Sequence, residues 1–102
     1  MWSFFQSSNP RPAPRRDLTF PNRSRSYDAT RHAVRFWGYV SSMENSFFVS
    51  TEALRRIQPD MNQDETGFLQ AFDNNRDRIY ATAAKVYAGG SKGSYSLTVS
   101  DF

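Results

Sequence analysis

The sequence predicts an α+β fold: a small antiparallel sheet of about four to five strands, with a short and a long helix packed on one face. Three observations predict it. Phe68, Leu69, Phe72, Ile79, Ala83 and Val86 recur mostly three and four residues apart, which lines one side of a long helix. Side chains alternate over His32–Val40 and again over Ser94–Ser100, the period of a strand with one buried face. The elements run β-β-β-α-α-β, an order that suits a sheet with its helices gathered on one side.

Residues 1–17 read as a disordered Pro/Arg-rich tail, because Pro10, Pro12 and Pro14 within Asn9–Arg16 forbid helix and favour extended chain. Trp2, Phe4 and Phe5 give that tail an aromatic tip that could hook onto the domain or a partner. Residues 18–102 read as a single α+β domain. Leu18–Phe20 alternates and stops at Pro21, as a short edge strand does. Asn22–Ser26 is a polar turn, Tyr27–Asp28 is extended, and Asp28–Arg31 is a turn whose Asp can bond backbone ahead of it.

His32–Val40 is the main strand. Val34, Phe36, Gly38 and Val40 share its core face, and Arg35, Trp37 and Tyr39 share the other. Gly38 marks a bulge or a place where a ring or backbone comes close. After the turn at Ser41–Met43, Glu44–Val49 returns as the hairpin partner, with Phe47 and Val49 inward and Ser46 and Phe48 outward. Ser50 or Thr51 caps a short helix from Glu52 to about Gln58, ended by Pro59. A single long helix then spans Asn62 to Gly90, with Asn62 and Glu65 as a capping box and Gly89 and Gly90 as its stop. Tyr95, Leu97 and Val99 face inward on the last strand.

Composition excludes several functions. The chain has no Cys, so it has neither disulfides nor thiolate metal sites, and a reducing, cytoplasmic setting is the default reading. No apolar run approaches the roughly 20 residues that span a bilayer. The net charge of +3 is unevenly spread. Residues 1–40 hold seven Arg against Asp17 and Asp28, whereas residues 41–102 hold six Lys or Arg against eight acids. A basic front points to an anionic partner or to attraction between the two halves.

Leu18–Asp28, Val34–Gly38, Phe72-Asp73 with Arg76, and the closing Tyr95–Leu97 with Asp101-Phe102 occur in an order that resembles a family of short bacterial proteins, domain of unknown function 1488. The resemblance covers about residues 18–102. It implies a small single domain, begun near Leu18, without an established activity or catalytic residue. Some members carry an automatic label as transcriptional regulators.

No constellation of residues carries chemistry. His32 is the only His and sits beside Arg31 and Arg35, so it reads as a surface residue and not a metal ligand. Asp60, Asp64 and Glu65 lack the spacing of a calcium loop. Asp73 and Asp77 are four apart among Arg76 and Arg78, which reads as a solvated helix side or local ion pairs. Gly89–Ser94 places Lys before Gly and after a helix, unlike a phosphate-binding loop. No cofactor and no catalytic residue are expected. What remains is a basic, aromatic candidate binding face: Arg23, Arg25, Arg35, Trp37, Tyr39 and Phe48. It suits self-association or a protein partner through a non-enzymatic module, or alternatively a nucleic-acid-binding regulator that stacks bases on the rings.

Overall fold

The structure is a computed structural model, and it describes residues 17–87 and 93–102. The tail with its aromatic tip, and the helix stop at Gly89 and Gly90, lie outside the described residues. Among the described residues five strands, three helices and a final turn follow one another: β1 (Leu18–Thr19), β2 (Arg25–Asp28), β3 (Ala33–Val40), β4 (Met43–Ser50), α1 (Thr51–Ile57), α2 (Glu65–Asn74), α3 (Arg76–Tyr87), β5 (Ser94–Leu97) and a 3-10 turn at Val99–Asp101. The α+β class and the order of strands and helices are those the sequence predicts.

β3 and β4 form the centre of the sheet as an uninterrupted antiparallel hairpin, from Val40 opposite Met43 to Ala33 opposite Ser50. Ser41, with φ at 58°, makes the tight turn between them. β1 and β2 share the other edge of β3, with Leu18 opposite Val40 and Arg25 opposite Phe36. β5 lies along the outer edge of β4, with Phe47 opposite Tyr95 and Val49 opposite Leu97.

That last pairing is parallel, which corrects the all-antiparallel sheet of the sequence reading. The reason is the connection. β4 feeds directly into α1, and three helices carry the chain back along one sheet face before β5 begins, which is how a parallel neighbour is reached. β5 is also shorter than its alternation suggests. Thr98 leaves the strand, its N–H donating to Asp101 Oδ2 at 2.7 Å, so Val99 sits in a turn and only half-buried.

The three described helices pack on one side of the sheet. Ala53 and Leu54 of α1, Phe68, Ala71 and Phe72 of α2, and Ile79 and Ala83 of α3 join Val34, Phe36, Phe47, Val49, Tyr95 and Leu97 in one core. Phe36 is its hub, with ring centroids 5.1 Å from Phe72, 5.4 Å from Phe47, 5.8 Å from Tyr80 and 6.0 Å from Phe20. Gly38 causes no bulge, since its pairing to Asn45 is regular. It is small because rings crowd it: a Cβ there would lie 2.8 Å from Phe20 and 3.0 Å from Phe47.

The single long helix is replaced by two. Asn75 ends α2 with φ −125° and ψ 24°, and its side-chain Nδ2 donates to the Ala71 carbonyl at 2.8 Å and to Gln58 Oε1 at 3.0 Å. The amide side chain thus takes the carbonyl that the next turn of helix would need. α3 then restarts, with Ile79 N–H donating to the Asn75 carbonyl at 3.0 Å. Phe72 and Ile79 are seven residues apart, about two helical turns, so the apolar spacing runs through the break unaltered. The start of α2 differs too. Asp64, not Asn62, is the cap, its Oδ1 accepting from Gly67 N–H at 2.8 Å. Ser50 caps α1, with Oγ accepting from Ala53 N–H at 3.0 Å.

Candidate interaction surface on the open face of the sheet

With every described helix on one side, the other side of β3 and β4 carries none of them. The alternation of β3 sends Arg35, Trp37 and Tyr39 to it, and all three are half-buried. Register places Phe48 opposite Arg35, Ser46 opposite Trp37 and Glu44 opposite Tyr39. Ser26 of β2 and Thr19 of β1 flank them on one edge, and Ser94 and Ser96 of β5 on the other.

The face is organised around two guanidinium groups. Arg31, from the β2–β3 turn, lies 4.2 Å from the Phe48 ring centroid. Arg35 lies 5.1 Å from the Trp37 ring and 5.6 Å from Phe48. Such cation–aromatic contacts each contribute about 0.5–1 kcal/mol at partly exposed sites. Phe48 is therefore on the outer side but buried, at 6% exposure, because the arginines cover it. The sequence reading has it as an outward ring of the binding face, and the outward side is where it lies. Arg31, which closes that cover, is not among the sequence-derived candidates. It sits in a turn, and only the β2–β3 register carries it over the sheet.

The polar groups are unequally satisfied. Arg31 Nε has Asp28 Oδ2 at 3.5 Å. Tyr39 Oη donates to Glu44 Oε2 at 2.7 Å, and this bond is the main cause of a tyrosine pKa raised above its ordinary value. Arg35 Nη2 donates to Ser46 Oγ at 2.9 Å, while its Nε is buried with no acceptor. A buried donor left unpaired costs about 1–3 kcal/mol. Among the described residues, no carboxylate pairs with Arg35 and no cation pairs with Glu44.

The other two candidates are elsewhere. Arg25 stands opposite Phe36 and so points to the helix side. Its Nε and Nη2 donate to Asp73 Oδ1 and Oδ2 at 3.0 and 2.8 Å. Arg76 Nη2 donates to the same carboxylate at 2.7 Å and to the Arg23 carbonyl at 2.8 Å. Its Nη1 donates to Tyr80 Oη at 2.7 Å, and Tyr80 stacks on Phe20 with centroids 4.1 Å apart. Arg23 and Arg25 are thus part of a clasp that ties the β1–β2 segment to the junction of α2 and α3. Tyr27 is the signal that could have placed Arg25: it packs on Phe68 at 5.2 Å, and a residue two positions away shares its face.

The clasp makes a pH prediction. The hydrogen bond from Arg25 is the chief cause that lowers the Asp73 pKa from the ordinary 3.8, with Arg76 adding to it against partial burial. A carboxyl depressed in the folded state contributes stability that is present above its unfolded pKa and lost as pH falls through the folded one. Asp73→Asn is expected to melt about 1 kcal/mol less stably at neutral pH. The gap to the parent should close as pH drops below 3.8. Thermal melts from pH 7 to about 2.5 check this; a gap constant with pH would show that the charge is irrelevant.

Among the described residues, no group of three His, Cys, Asp or Glu side chains gathers as a metal site would require, and no helix is long and apolar enough to cross a membrane. No curated protein matches the chain. Among solved structures, a protein of unknown function of the DUF1488 family from Shewanella loihica PV-4 is similar at a TM-score of 0.72 and 15% identity, covering 83% of this chain and 96% of that one. At that identity the likeness shows a shared fold. The profile of a family described as "Protein of unknown function (DUF1488)" matches residues 18–99, and the chain belongs to that family.

Proposed function

We propose that this protein is a non-enzymatic interaction module that binds through the open face of its sheet. One observation carries the reading: Trp37 and Tyr39 stand half-buried beside Arg31 and Arg35 on a sheet face that no described helix covers. Trp, Tyr and Arg are the residue types that anchor protein interfaces, because each brings a large contact area with a polar tip. The nucleic-acid alternative has less support. Arg25 is engaged by Asp73 and Arg31 by Asp28, which leaves Arg35 as the one arginine of the face without a carboxylate among the described residues, too few cations to hold a run of phosphates.

The double variant Trp37→Ser/Tyr39→Ser tests the reading. Both rings are half-buried, so it should still unfold cooperatively, at a cost of about 2–4 kcal/mol from the lost ring burial and the lost Arg35–Trp37 contact, and lose any association the parent shows by sedimentation. If it fails to fold, those rings are structural and the face is not a recognition surface. Retention of single-stranded DNA by the parent at low salt would favour the alternative.

A further inference from the structure

We propose that the open face pairs with a second copy of this chain, sheet against sheet, about a two-fold axis that crosses β3 near Trp37. The inference rests on the reading of this face as a recognition surface and supplies its occupant. Its basis is the order of charge along the strands. Arg35 lies at one end of the face and Glu44, opposite Tyr39, at the other, with Trp37 between them. Among the described residues neither charge has an ion-pair partner, and the Arg35 Nε has no acceptor at all. Four residues of β3 separate the two ends, about 13 Å, so one copy cannot join them.

Two copies can. When sheets pack face to face, the two-fold axis lies in the plane between them. An axis perpendicular to β3 sets the Arg35 end of each copy over the Glu44 end of the other, giving the same ion pair twice, with Trp37 packed on Trp37 at the centre. An axis along the strands sets Arg35 over Arg35 and is opposed by like charge. The serines of β5 and β2 form a polar rim around this centre. β3 and β4, eight residues each, make the face about 27 Å long, and four strand positions make it about 19 Å wide. A footprint of about 500 Å² suits a reversible homodimer more than an obligate one.

Sedimentation equilibrium of the full chain tests the proposal. The unmodified protein should approach twice its 11.7 kDa mass as concentration rises. Arg35→Glu alone and Glu44→Arg alone each put like charges in both contacts, and each should weaken the dimer about tenfold or more. The double variant Arg35→Glu/Glu44→Arg should restore it. Glu44 is exposed in the hairpin, so Glu44→Arg should fold normally even if Arg35→Glu does not, and circular dichroism melts verify this. A parent that stays monomeric into the high micromolar range overturns the proposal, whether its own N-terminal residues or another protein cover the face. So does a dimer indifferent to Glu44→Arg. In both cases the interaction-module reading survives if the Trp37→Ser/Tyr39→Ser variant folds and loses whatever association the parent shows, and it falls if that variant does not fold or associates as the parent does.

Discussion

Phe36→Ala is expected to leave a protein with little or no cooperative unfolding transition at 25 °C. Phe36 is fully buried, and it touches rings from β4, from α2 and α3, and Phe20 after β1. Removing a buried Phe costs about 3–5 kcal/mol, since the lost transfer energy is joined by the cavity left among neighbours that cannot all collapse. A small domain has only about 5–15 kcal/mol in total. At this size each kcal/mol lowers the melting temperature by about 4–8 °C, so any midpoint that remains should lie at least about 12 °C lower. Phe36→Leu should recover most of the loss by filling much of the volume. A midpoint within a few degrees of the parent for Phe36→Ala would mean that the two layers are not joined through this ring.

Gly67→Ala is the second large effect, and its sign is the informative part. Ala is ordinarily favoured over Gly inside a helix by about 1 kcal/mol. Here the new Cβ would fall on the backbone carbonyl of Asn62, which folds back over the first turn of α2. Backbone cannot step aside as a flexible side chain can, so the turn or the helix must shift. The hydrogen bond from Gly67 N–H to Asp64 would shift with it. A destabilisation of about 2–3 kcal/mol follows from comparable overpacking. Denaturant titration measures it, and Thr66→Ala, exposed one position earlier, is the control. A stabilised Gly67→Ala would show that the Asn62–Asp64 turn does not pack against α2.

Much of the candidate face is legible in the residues themselves. The alternation of β3 alone separates Val34, Phe36 and Val40 from Arg35, Trp37 and Tyr39, because successive strand residues must point to opposite faces. Arg25 and Phe48 show the limit of that signal. Arg25 precedes the main strand and looks like its neighbour in charge, yet register turns it to the helix side and onto Asp73. Phe48 has the outward parity the alternation gives it, but Arg31 and Arg35 close over its ring. Parity assigns a side of a sheet; what covers that side depends on residues far away in the chain.

Local periods follow from the residues alone: which of them line each strand and helix, the cap near Ser50, the small residue at position 38, and the separation of an apolar sheet face from a basic, aromatic one. The break at Asn75, the parallel course of β5 and the clasp of Arg25, Asp73 and Arg76 come instead from long-range contacts. Each of these depends on one segment meeting another across many residues, through the Gln58 side chain, the return path of three helices, and a carboxylate 48 positions away. Periodicity reports how a segment satisfies itself, and it carries no record of which distant segment supplies the missing hydrogen bond or charge.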